Sequence, residues 1–313
     1  MSSLKAKLNG ILDSFDTTKR VVFYDYPLHG MNVGDLLISL GSEQFLSDHN
    51  IHVWKRYSAD DMPDFIRGME DDVVILCHGG GNLGDLWPNH QVGREKILEL
   101  FPRNRVVVLP QTVHFDSQDR FQQAMGKFRS HGNCHIFARD NRSLDALQKA
   151  GVDQSSAMPD MAQYLWGTLL PEAPSFYEAY PMRFMRRDKE SKTSAVLRGG
   201  RDAAQTYDWS DILTWSTSRL MRLTLKAIDM QNGMGLHTQK YWQWRPVQGR
   251  AIRDGVKFFS RYRTVYTNRL HAMILGLLLN REVRAFDNSY GKLASYFESW
   301  LNNVDGLMWE PEE

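Results

Sequence analysis

Strand-like runs alternate with helix-like runs through the first half of the chain, and this alternation restricts the possible folds most. Short runs rich in apolar and β-branched residues predict buried strands at Val21–Tyr24, Asp72–Cys77, Arg105–Leu109 and Cys134–Ala138. Helical periodicity follows each run. Strands and helices that alternate in this way form a mostly parallel sheet with helices on both faces. The sequence therefore predicts an α/β fold.

The length and a break in periodicity predict two lobes. A chain of 313 residues is about twice as long as a typical domain. Between about Trp166 and Thr193, prolines and a charged run replace the regular pattern. We therefore expect a first lobe over residues 1–168, a connection over 169–192 and a second lobe over 193–313.

Charge balance and cysteine content argue against several classes of protein. With 38 basic and 37 acidic residues, the net charge of +1 gives no electrostatic reason to expect a nucleic-acid partner. Cys77 and Cys134 fall in predicted buried strands, so we expect small core residues in a reducing compartment rather than a disulfide. The histidines lack a metal-binding spacing and two isolated cysteines cannot form a zinc cluster, so no metal site is expected.

The sequence shows neither a secretion signal nor a membrane-spanning run. Its amino-terminal residues lack a continuous apolar region, and no window elsewhere holds 18 uncharged apolar residues. We therefore expect a cytoplasmic protein. Any membrane contact would then be peripheral, at the inner face of the membrane.

Polar and glycine-rich loops follow the strands predicted in the first lobe. Since the carboxyl ends of parallel strands share one edge of a sheet, these loops should converge there and form a binding site. Gly79, Gly80 and Gly81 follow the strand that ends at Cys77, and glycine lets a ligand approach the backbone closely or permits positive φ. A tight turn without a ligand is the alternative, because neither common phosphate-binding glycine pattern is present.

The stretch Thr264–Leu279 changes from a strand-like to a strongly apolar helical run and predicts a second part of the site. Arg269 and His271 lie at the turn between them. The amino-terminal end of a helix attracts anions through its unpaired N–H groups and its dipole. In the alternative interpretation, Arg269 is a surface residue and His271 is a structural histidine in the first helical turn.

Two segments of the second half allow two interpretations each. The helix predicted at Ile212–Met230 carries an apolar stripe with Arg219, Arg222 and Lys226 beside it, and the stripe consists of Ile212, Trp215, Leu220, Leu223 and Ile228. It is either a core helix with solvated charges or a basic amphipathic helix on an anionic membrane surface. Residues 235–250 combine aromatic with basic side chains, which fits either a carbohydrate-facing loop or packing against the other lobe.

Seven short motifs together resemble the polysaccharide pyruvyl transferase family. They occur in the family's order and cover roughly residues 20 to 300. They are Asn32-Val-Gly-Asp35, Gly79-Gly-Gly81, Pro110-Gln-Thr112, Phe137-Ala-Arg-Asp140, Pro159-Asp160, Asn268-Arg-Leu-His271 and the segment Asp287–Lys292 with its Tyr290 and Lys292. The region around residues 171–250 matches no such motif, which leaves the acceptor open.

This resemblance implies a fold and a reaction. The implied fold is like that of the GT-B glycosyltransferases, with two Rossmann-like lobes and the active site in the cleft between them. The implied reaction transfers pyruvate from phosphoenolpyruvate to two hydroxyls of a sugar in an exopolysaccharide, a cell-wall polymer or a glycan precursor. It forms a cyclic ketal and releases phosphate. Neither a cofactor nor a metal is expected, and whether the acceptor is linked to a lipid stays open.

The resemblance also assigns residues to the donor. The Arg-Leu-His motif of the family falls on Arg269, Leu270 and His271 and belongs to the donor site. Arg269 and, from the first lobe, Arg139 are expected to hold the carboxylate and phosphate, because guanidinium groups bind such oxygens bidentately. His271 is expected to protonate the enol carbon, because histidine titrates near neutrality. Lys292 either adds charge near the phosphate or is solvated.

Other residues are expected on the acceptor side or in its loops. These candidates are Asn32, Asp35, Gly79, Gly80, Gly81, His90 and Gln111. Asp35 and Asp160 either accept a hydroxyl proton or, as we favour for both, cap a helix. His78 is expected to pack beside the end of its strand.

Two other functions fit the same fold. A nucleotide-sugar glycosyltransferase of GT-B type would need an acidic residue for the ribose, and Asp287 or Glu282 could serve. A carbohydrate-binding protein without activity is the other alternative, because a fold alone does not determine function.

Overall fold

Two parallel β-sheets with surrounding helices form the framework of the protein. The computed structural model describes residues 1–28, 32–169, 178, 180–187, 206–234, 240–287 and 291–310. Within these residues, one sheet has seven strands and the other has five. All paired strands are parallel, which confirms the predicted α/β class.

The first sheet contains every strand predicted in the first lobe. Its strands are β1 (Val21–Tyr24), β2 (Val53–Tyr57), β3 (Val74–Cys77), β4 (Gly80–Gly84), β5 (Val106–His114), β6 (Cys134–Ala138) and β7 (Ser155–Ala157). The order is β2-β1-β3-β5-β6-β7, and β4 pairs with the second half of β5. The predicted bounds of β1 and β6 are confirmed residue for residue.

Alternate residues along these strands pack into two separate cores, one on each face of the sheet. Phe23 and Leu76 belong to one core, while Val22 and Ile75 belong to the other. The helices from this half of the chain are α1 (Ser2–Lys7), α2 (Val33–Asp48), α3 (Met62–Arg67), α4 (Pro88–Leu100), α5 (Gln118–His131) and α6 (Asn141–Lys149). Short 3₁₀ helices span Leu8–Ser14, Ala59–Asp61 and Met161–Leu165.

Both cysteines are core residues, as predicted. Cys77 and Cys134 are free thiols and fully enclosed by the first sheet and its helices. Burial raises the pKa of Cys77 to about 12, so its thiol stays neutral at physiological pH.

Two predicted loops are strands. The glycine triplet does not form a loop, because Gly80–Gly84 pairs with β5. Similarly, β5 does not stop at Leu109 but continues through Pro110 to His114. Pro110 lies where the partner of β5 changes from β3 to β4, so its missing N–H interrupts no ladder.

The second sheet begins earlier in the chain than predicted. Its strands are β8 (Met182–Phe184), β9 (Thr206–Tyr207), β10 (Thr264–Thr267), β11 (Glu282–Ala285) and β12 (Leu307–Trp309), in the order β12-β11-β10-β8-β9. Strand β8 lies inside the segment 169–192 that was predicted as a connection. A strand of three residues is too short to show a periodicity, and prolines and charged residues surround it. The exact limits of the two lobes stay a prediction, and the strand predicted at Ser194–Leu197 lies outside the described residues.

The remaining helices are α7 (Trp209–Ile212), α8 (Trp215–Gly233), α9 (Lys240–Ser260), α10 (Leu270–Leu278) and α11 (Lys292–Tyr296), which a π-helical turn at Phe297–Leu301 continues. The helix predicted at Ile212–Met230 is thus divided, because Thr214 caps α8 by accepting from Thr217 N. None of the helices in the described part of the chain has the length and apolar character that a bilayer crossing requires.

The aromatic segment after residue 239 is the start of helix α9 rather than a carbohydrate-facing loop. Tyr241 and Trp244 are buried in a core cluster of the first sheet, and the rings of Tyr241 and Tyr26 lie 5.4 Å apart. Trp242, in contrast, is 53% exposed. The alternative interpretation, packing against the other half of the chain, is therefore confirmed for Tyr241 and Trp244.

This packing predicts different effects for two neighbouring tryptophans. We expect Trp244→Ala to lower the free energy of unfolding by about 3–5 kcal/mol, because it removes a buried side chain from the core. Trp242→Ala should change it by less than about 1 kcal/mol, because its ring is largely in solvent. Urea unfolding of both variants measures the difference, and equal losses would contradict the burial of Trp244.

Candidate active site

A pocket of ≈ 620 Å³ lies at the carboxyl ends of strands from both sheets. In the first sheet β2 and β3 flank β1 on opposite sides, and in the second β9 and β10 flank β8. Ligands bind at such reversals of strand order. Asp25 and His78 directly follow β1 and β3, while Arg186 and Arg269 follow β8 and β10. All four line the pocket, so both reversals contribute to one site.

The structure brings nearly all predicted site residues to this pocket. Those on its wall are Asn32, Asp35, Gly79, Gly80, Gly81, His90, Arg139, Arg269, Leu270, His271 and Lys292. Gln111 is fully buried and hydrogen-bonds two wall residues, Asn82 and His78, at 2.9 and 2.8 Å. Their chemical roles stay predictions at this point.

Arg269 is held at the amino-terminal end of α10, at the turn where the sequence predicted it. Its backbone N–H donates to Thr267 Oγ1 at 3.0 Å, and its Nη2 lies 2.6 Å from Asp208 Oδ2. Asn268 Oδ1 accepts from Arg186 N at 2.8 Å and so connects the ends of β8 and β10. These contacts hold Arg269 at the residue that precedes the first turn of α10, whose N–H groups have no partner within the helix.

His271 and Arg139 share one buried carboxylate. Asp160 Oδ2 lies 2.9 Å from Arg139 Nη1 and 3.3 Å from His271 Nε2, and the aspartate is fully buried. Burial alone would raise the pKa of Asp160, but the charge and hydrogen bond of His271 together with Arg139 outweigh it and lower the pKa below its ordinary range. Asp160 also caps the 3₁₀ helix that follows by accepting from Ala162 N, as expected.

The Asn32-Val-Gly-Asp35 motif makes room for His271. A Cβ on Gly34 would lie 2.5 Å from His271 Nδ1, so only glycine allows this ring to approach α2. The cap of α2 is Asn32, which accepts from Gly34 N at 2.9 Å, and not Asp35 as expected. Asp35 lies in the first turn, where Asn32 Nδ2 donates to its carboxylate at 2.9 Å. A carboxylate is favourable there because of the helix dipole.

Two cationic side chains meet above Gly81. A Cβ on Gly81 would lie 2.5 Å from Lys292 Nζ and 2.9 Å from Arg139 Nη2. Arg139 donates from Nε to Thr112 Oγ1 and from Nη1 to Asp160, so its third nitrogen is the one above Gly81. Within the triplet, Gly80 takes a positive φ of 127°, whereas Gly81 supplies space. The backbone of the triplet forms one wall of the pocket together with Arg139 and Lys292.

An acidic residue that sequence reasoning missed organises another part of the pocket lining. Asp25 is buried, takes a positive φ of 72° and accepts from His90 Nδ1 at 2.8 Å. Burial alone would lower the pKa of His90, but the hydrogen bond and charge of Asp25 outweigh it and raise the pKa. Arg94 lies 3.5 Å from Asp25 and donates to Asn82. Burial lowers the pKa of nearby His78, which therefore stays neutral.

Other wall residues were also missed. Asp25 could have been found, because it directly follows a predicted strand. Arg186 and Asp208 follow strands of three and two residues, which gave no signal in the sequence. Trp87 precedes α4, lines the pocket and is 51% exposed, and no pattern marked it.

The acidic, histidine and cysteine side chains form no metal-binding group of three or more within the described ranges.

Comparison with known proteins agrees with the resemblance seen in the motifs. The family model for polysaccharide pyruvyl transferase matches residues 32–290. The chain is 36% identical to the putative pyruvyl transferase EpsO of Bacillus subtilis, over 97% of this chain and 92% of that protein. It is 28% identical to Pyruvyl transferase 1 of Schizosaccharomyces pombe, over 94% of this chain and 73% of that protein.

A solved structure shares the fold. A functionally uncharacterised protein from Klebsiella pneumoniae superposes with a TM-score of 0.60 at 21% identity, over 99% of each chain. This similarity supports the arrangement of strands and helices described above.

The buried carboxylate predicts a specific dependence of stability on pH. Because the pKa of Asp160 is lowered in the folded protein, its contribution is present above the unfolded value of about 4 and is lost as the pH falls towards the folded value. We expect Asp160→Asn to cost about 3–5 kcal/mol near neutral pH, because Arg139 would lose a buried partner. The variant should then lose less stability on acidification than the wild type.

Urea unfolding from about pH 7 to about pH 3 measures this difference. The matched control is Asp145→Asn, whose exposed pair with Lys149 should contribute less than about 1 kcal/mol. Parallel stability curves for Asp160→Asn and the wild type would show that Asp160 is not the titrating group.

Proposed function

The chain belongs to the polysaccharide pyruvyl transferase family, and on that premise we propose that it transfers the pyruvyl group of phosphoenolpyruvate onto two hydroxyls of a sugar. The product is a pyruvate ketal in an exopolysaccharide, a cell-wall polymer or a glycan precursor, and phosphate is released. The observation that carries this proposal is the convergence of Arg139, Lys292, Arg269 and His271 on one pocket. In this proposal the two sheets belong to two Rossmann-like lobes in a GT-B-like arrangement, and the pocket is their cleft.

The arrangement of cations suits a donor with two charged ends. Arg139 Nη2 and Lys292 Nζ meet above Gly81 and would hold one end. Arg269 and the first-turn N–H groups of α10 would hold the other. Each guanidinium is already held in place by a carboxylate. Little side-chain ordering would then accompany donor binding.

His271 is positioned to act as the acid. Asp160 accepts from its Nε2 and stabilises positive charge on the ring, so Nδ1 would deliver the proton to the methylene carbon of phosphoenolpyruvate. The adjacent carbon becomes electrophilic, and the first sugar hydroxyl adds to it. The bond to phosphate then breaks and the second hydroxyl closes the ketal. One hydroxyl proton restores His271, and the other leaves with the phosphate.

The wall formed by Asp25, His90 and Trp87 would face the acceptor. Trp87 presents an exposed aromatic ring at the pocket, and aromatic rings pack well against the CH faces of sugars. Asn89 and the pair of Asp25 with His90 add hydrogen-bonding groups along the same wall. The donor and the sugar would thus bind side by side in the one pocket.

The contacts of Glu282 argue against one of the two acidic residues that a nucleotide-sugar glycosyltransferase could use for the ribose. Glu282 begins β11 and pairs with Arg263 on the surface, so it lies at the edge away from the carboxyl ends of the strands. Asp287 accepts from Ala294 N near the start of α11. A measurement of substrate turnover distinguishes an enzyme from a binding protein without activity.

Donor binding and the role of His271 can be tested separately. Phosphoenolpyruvate should raise the melting temperature of the wild type and of His271→Ala by similar amounts, because the cationic side chains remain. With an acceptor found by mass gain among galactosides, glucosides, mannosides and N-acetylhexosamines, His271→Ala should release phosphate at least about a hundredfold more slowly. Exposed His52→Ala is the matched control and should behave as the wild type.

Three results would contradict this proposal. Stabilisation by UDP-sugars but not by phosphoenolpyruvate would favour the glycosyltransferase. Full activity of His271→Ala would show that His271 is not the acid. A screen in which no sugar gains mass would favour a carbohydrate-binding protein.

Trp87 should affect the acceptor more than the donor. We expect Trp87→Ala to raise the acceptor KM by about tenfold and to leave stabilisation by phosphoenolpyruvate unchanged, because it removes a stacking surface at the sugar side. Trp215→Ala removes another exposed tryptophan far along the chain and should leave the acceptor KM unchanged. If the acceptor KM of Trp87→Ala is unchanged, the acceptor does not bind at this wall.

A further inference from the structure

Helix α8 leaves an apolar and basic face in solvent. Trp215, Leu223 and Met230 are 70%, 55% and 63% exposed, although large apolar side chains are normally buried. The spacing of these residues places them on one side of the helix, about two turns apart. Arg219 and Lys226 lie between them on the same side and are exposed. We call this stripe, together with Arg222 beside it, the α8 face.

Among the residues that the structure describes, the core clusters do not include the α8 face. Helix α8 is anchored by its other side, where Met221 and Ile228 join the core cluster that contains Tyr26. The sequence interpretation of a core stripe with solvated charges is therefore wrong for Trp215 and Leu223, which were expected in that stripe. An exposed apolar stripe on a well-anchored helix indicates a contact surface.

Helix α9 extends this surface. It runs antiparallel to α8, because Thr214 Oγ1 bonds Asp254 at 2.8 Å at one end and Gln243 bonds Gln231 at 2.7 Å at the other. Exposed Trp242, next to Gln243, lies at the same end of the pair as Met230. The guanidinium of Arg245 lies 5.6 Å from the Trp242 ring centre, and Arg250 and Arg253 are also exposed.

The charges determine which partner fits. Across α8, Arg219, Arg222 and Lys226 are opposed by a single acidic residue, Asp229. A second copy of the chain docked by the same face would bring these cations against each other, which is unfavourable. An anionic lipid surface offers opposite charge to the cations and an apolar layer to the tryptophan, leucine and methionine side chains.

We propose that the α8 face, with the exposed residues of α9 beside it, docks onto an anionic lipid bilayer. The helix would lie in the plane of the interface, with Trp215, Leu223 and Met230 inserted at the boundary of head groups and acyl chains. Arg219, Arg222 and Lys226 would contact the lipid phosphates. Docking of this kind does not depend on the proposed function, because its test measures binding and not turnover.

Sedimentation of the full chain with lipid vesicles tests the docking. The wild type should bind vesicles that contain phosphatidylglycerol, bind vesicles of phosphatidylcholine alone far more weakly, and dissociate as the salt concentration rises. Leu223→Ser/Lys226→Glu should lower the partition coefficient by about tenfold or more, because it removes one apolar and one basic contact. Lys96→Glu/Leu100→Ser makes the same changes at exposed positions of α4 and should bind as the wild type.

Controls for folding and for self-association complete the test. Circular dichroism and melting temperature establish that both double variants are folded, and Arg222→Gln provides a milder charge variant with the same expected direction. No binding to phosphatidylglycerol vesicles, or equal losses in the α8 and α4 variants, would overturn the proposal. Sedimentation velocity that shows a dimer in the wild type and a monomer only in Leu223→Ser/Lys226→Glu would assign the face to a second copy instead.

Discussion

The buried carboxylate of Asp160 is the contact on which the site depends. It joins Arg139, which follows a strand of the first sheet, to His271, in the helix after a strand of the second. A charge buried without a partner costs several kcal/mol, so Arg139 is held firmly at the carboxylate, and the hydrogen bond from His271 Nε2 holds the imidazole ring there as well. One interaction thereby fixes two pocket residues from distant parts of the chain and links the two sheets at the pocket.

Close packing around this contact explains why the motifs contain glycine. Gly34 lets the His271 ring lie against α2, and Gly81 leaves space for Arg139 and Lys292 above its backbone. A side chain at either position would displace a charged group of the pocket. The motifs therefore contain both the ionic groups and the glycines that leave space for them. Preorganised charges of this kind favour an anionic ligand, because they need little rearrangement when it binds.

The sequence predicted the parts of this structure in which local pattern and tertiary environment agree. Strands β1 and β6 are short buried apolar runs, and both bounds were correct. Pro110 and the glycine triplet were wrongly predicted as loops, because such residues usually weaken a strand. In the structure, a change of strand partner removes this cost. The pairing of Arg269 with Asp208 was beyond prediction, since Asp208 follows a two-residue strand without periodicity. Contacts between distant segments depend on how the helices pack, which no local pattern records.

The central claim is that groups from both sheets hold the two charged ends of one donor. Calorimetric titration of the wild-type protein with phosphoenolpyruvate, pyruvate and inorganic phosphate tests it most directly. Because phosphoenolpyruvate alone carries both charged ends, its dissociation constant should be at least about a hundredfold lower than that of either smaller anion, a difference of about 2.7 kcal/mol. Equal affinity for phosphate or pyruvate alone, or no binding of phosphoenolpyruvate, would contradict the claim.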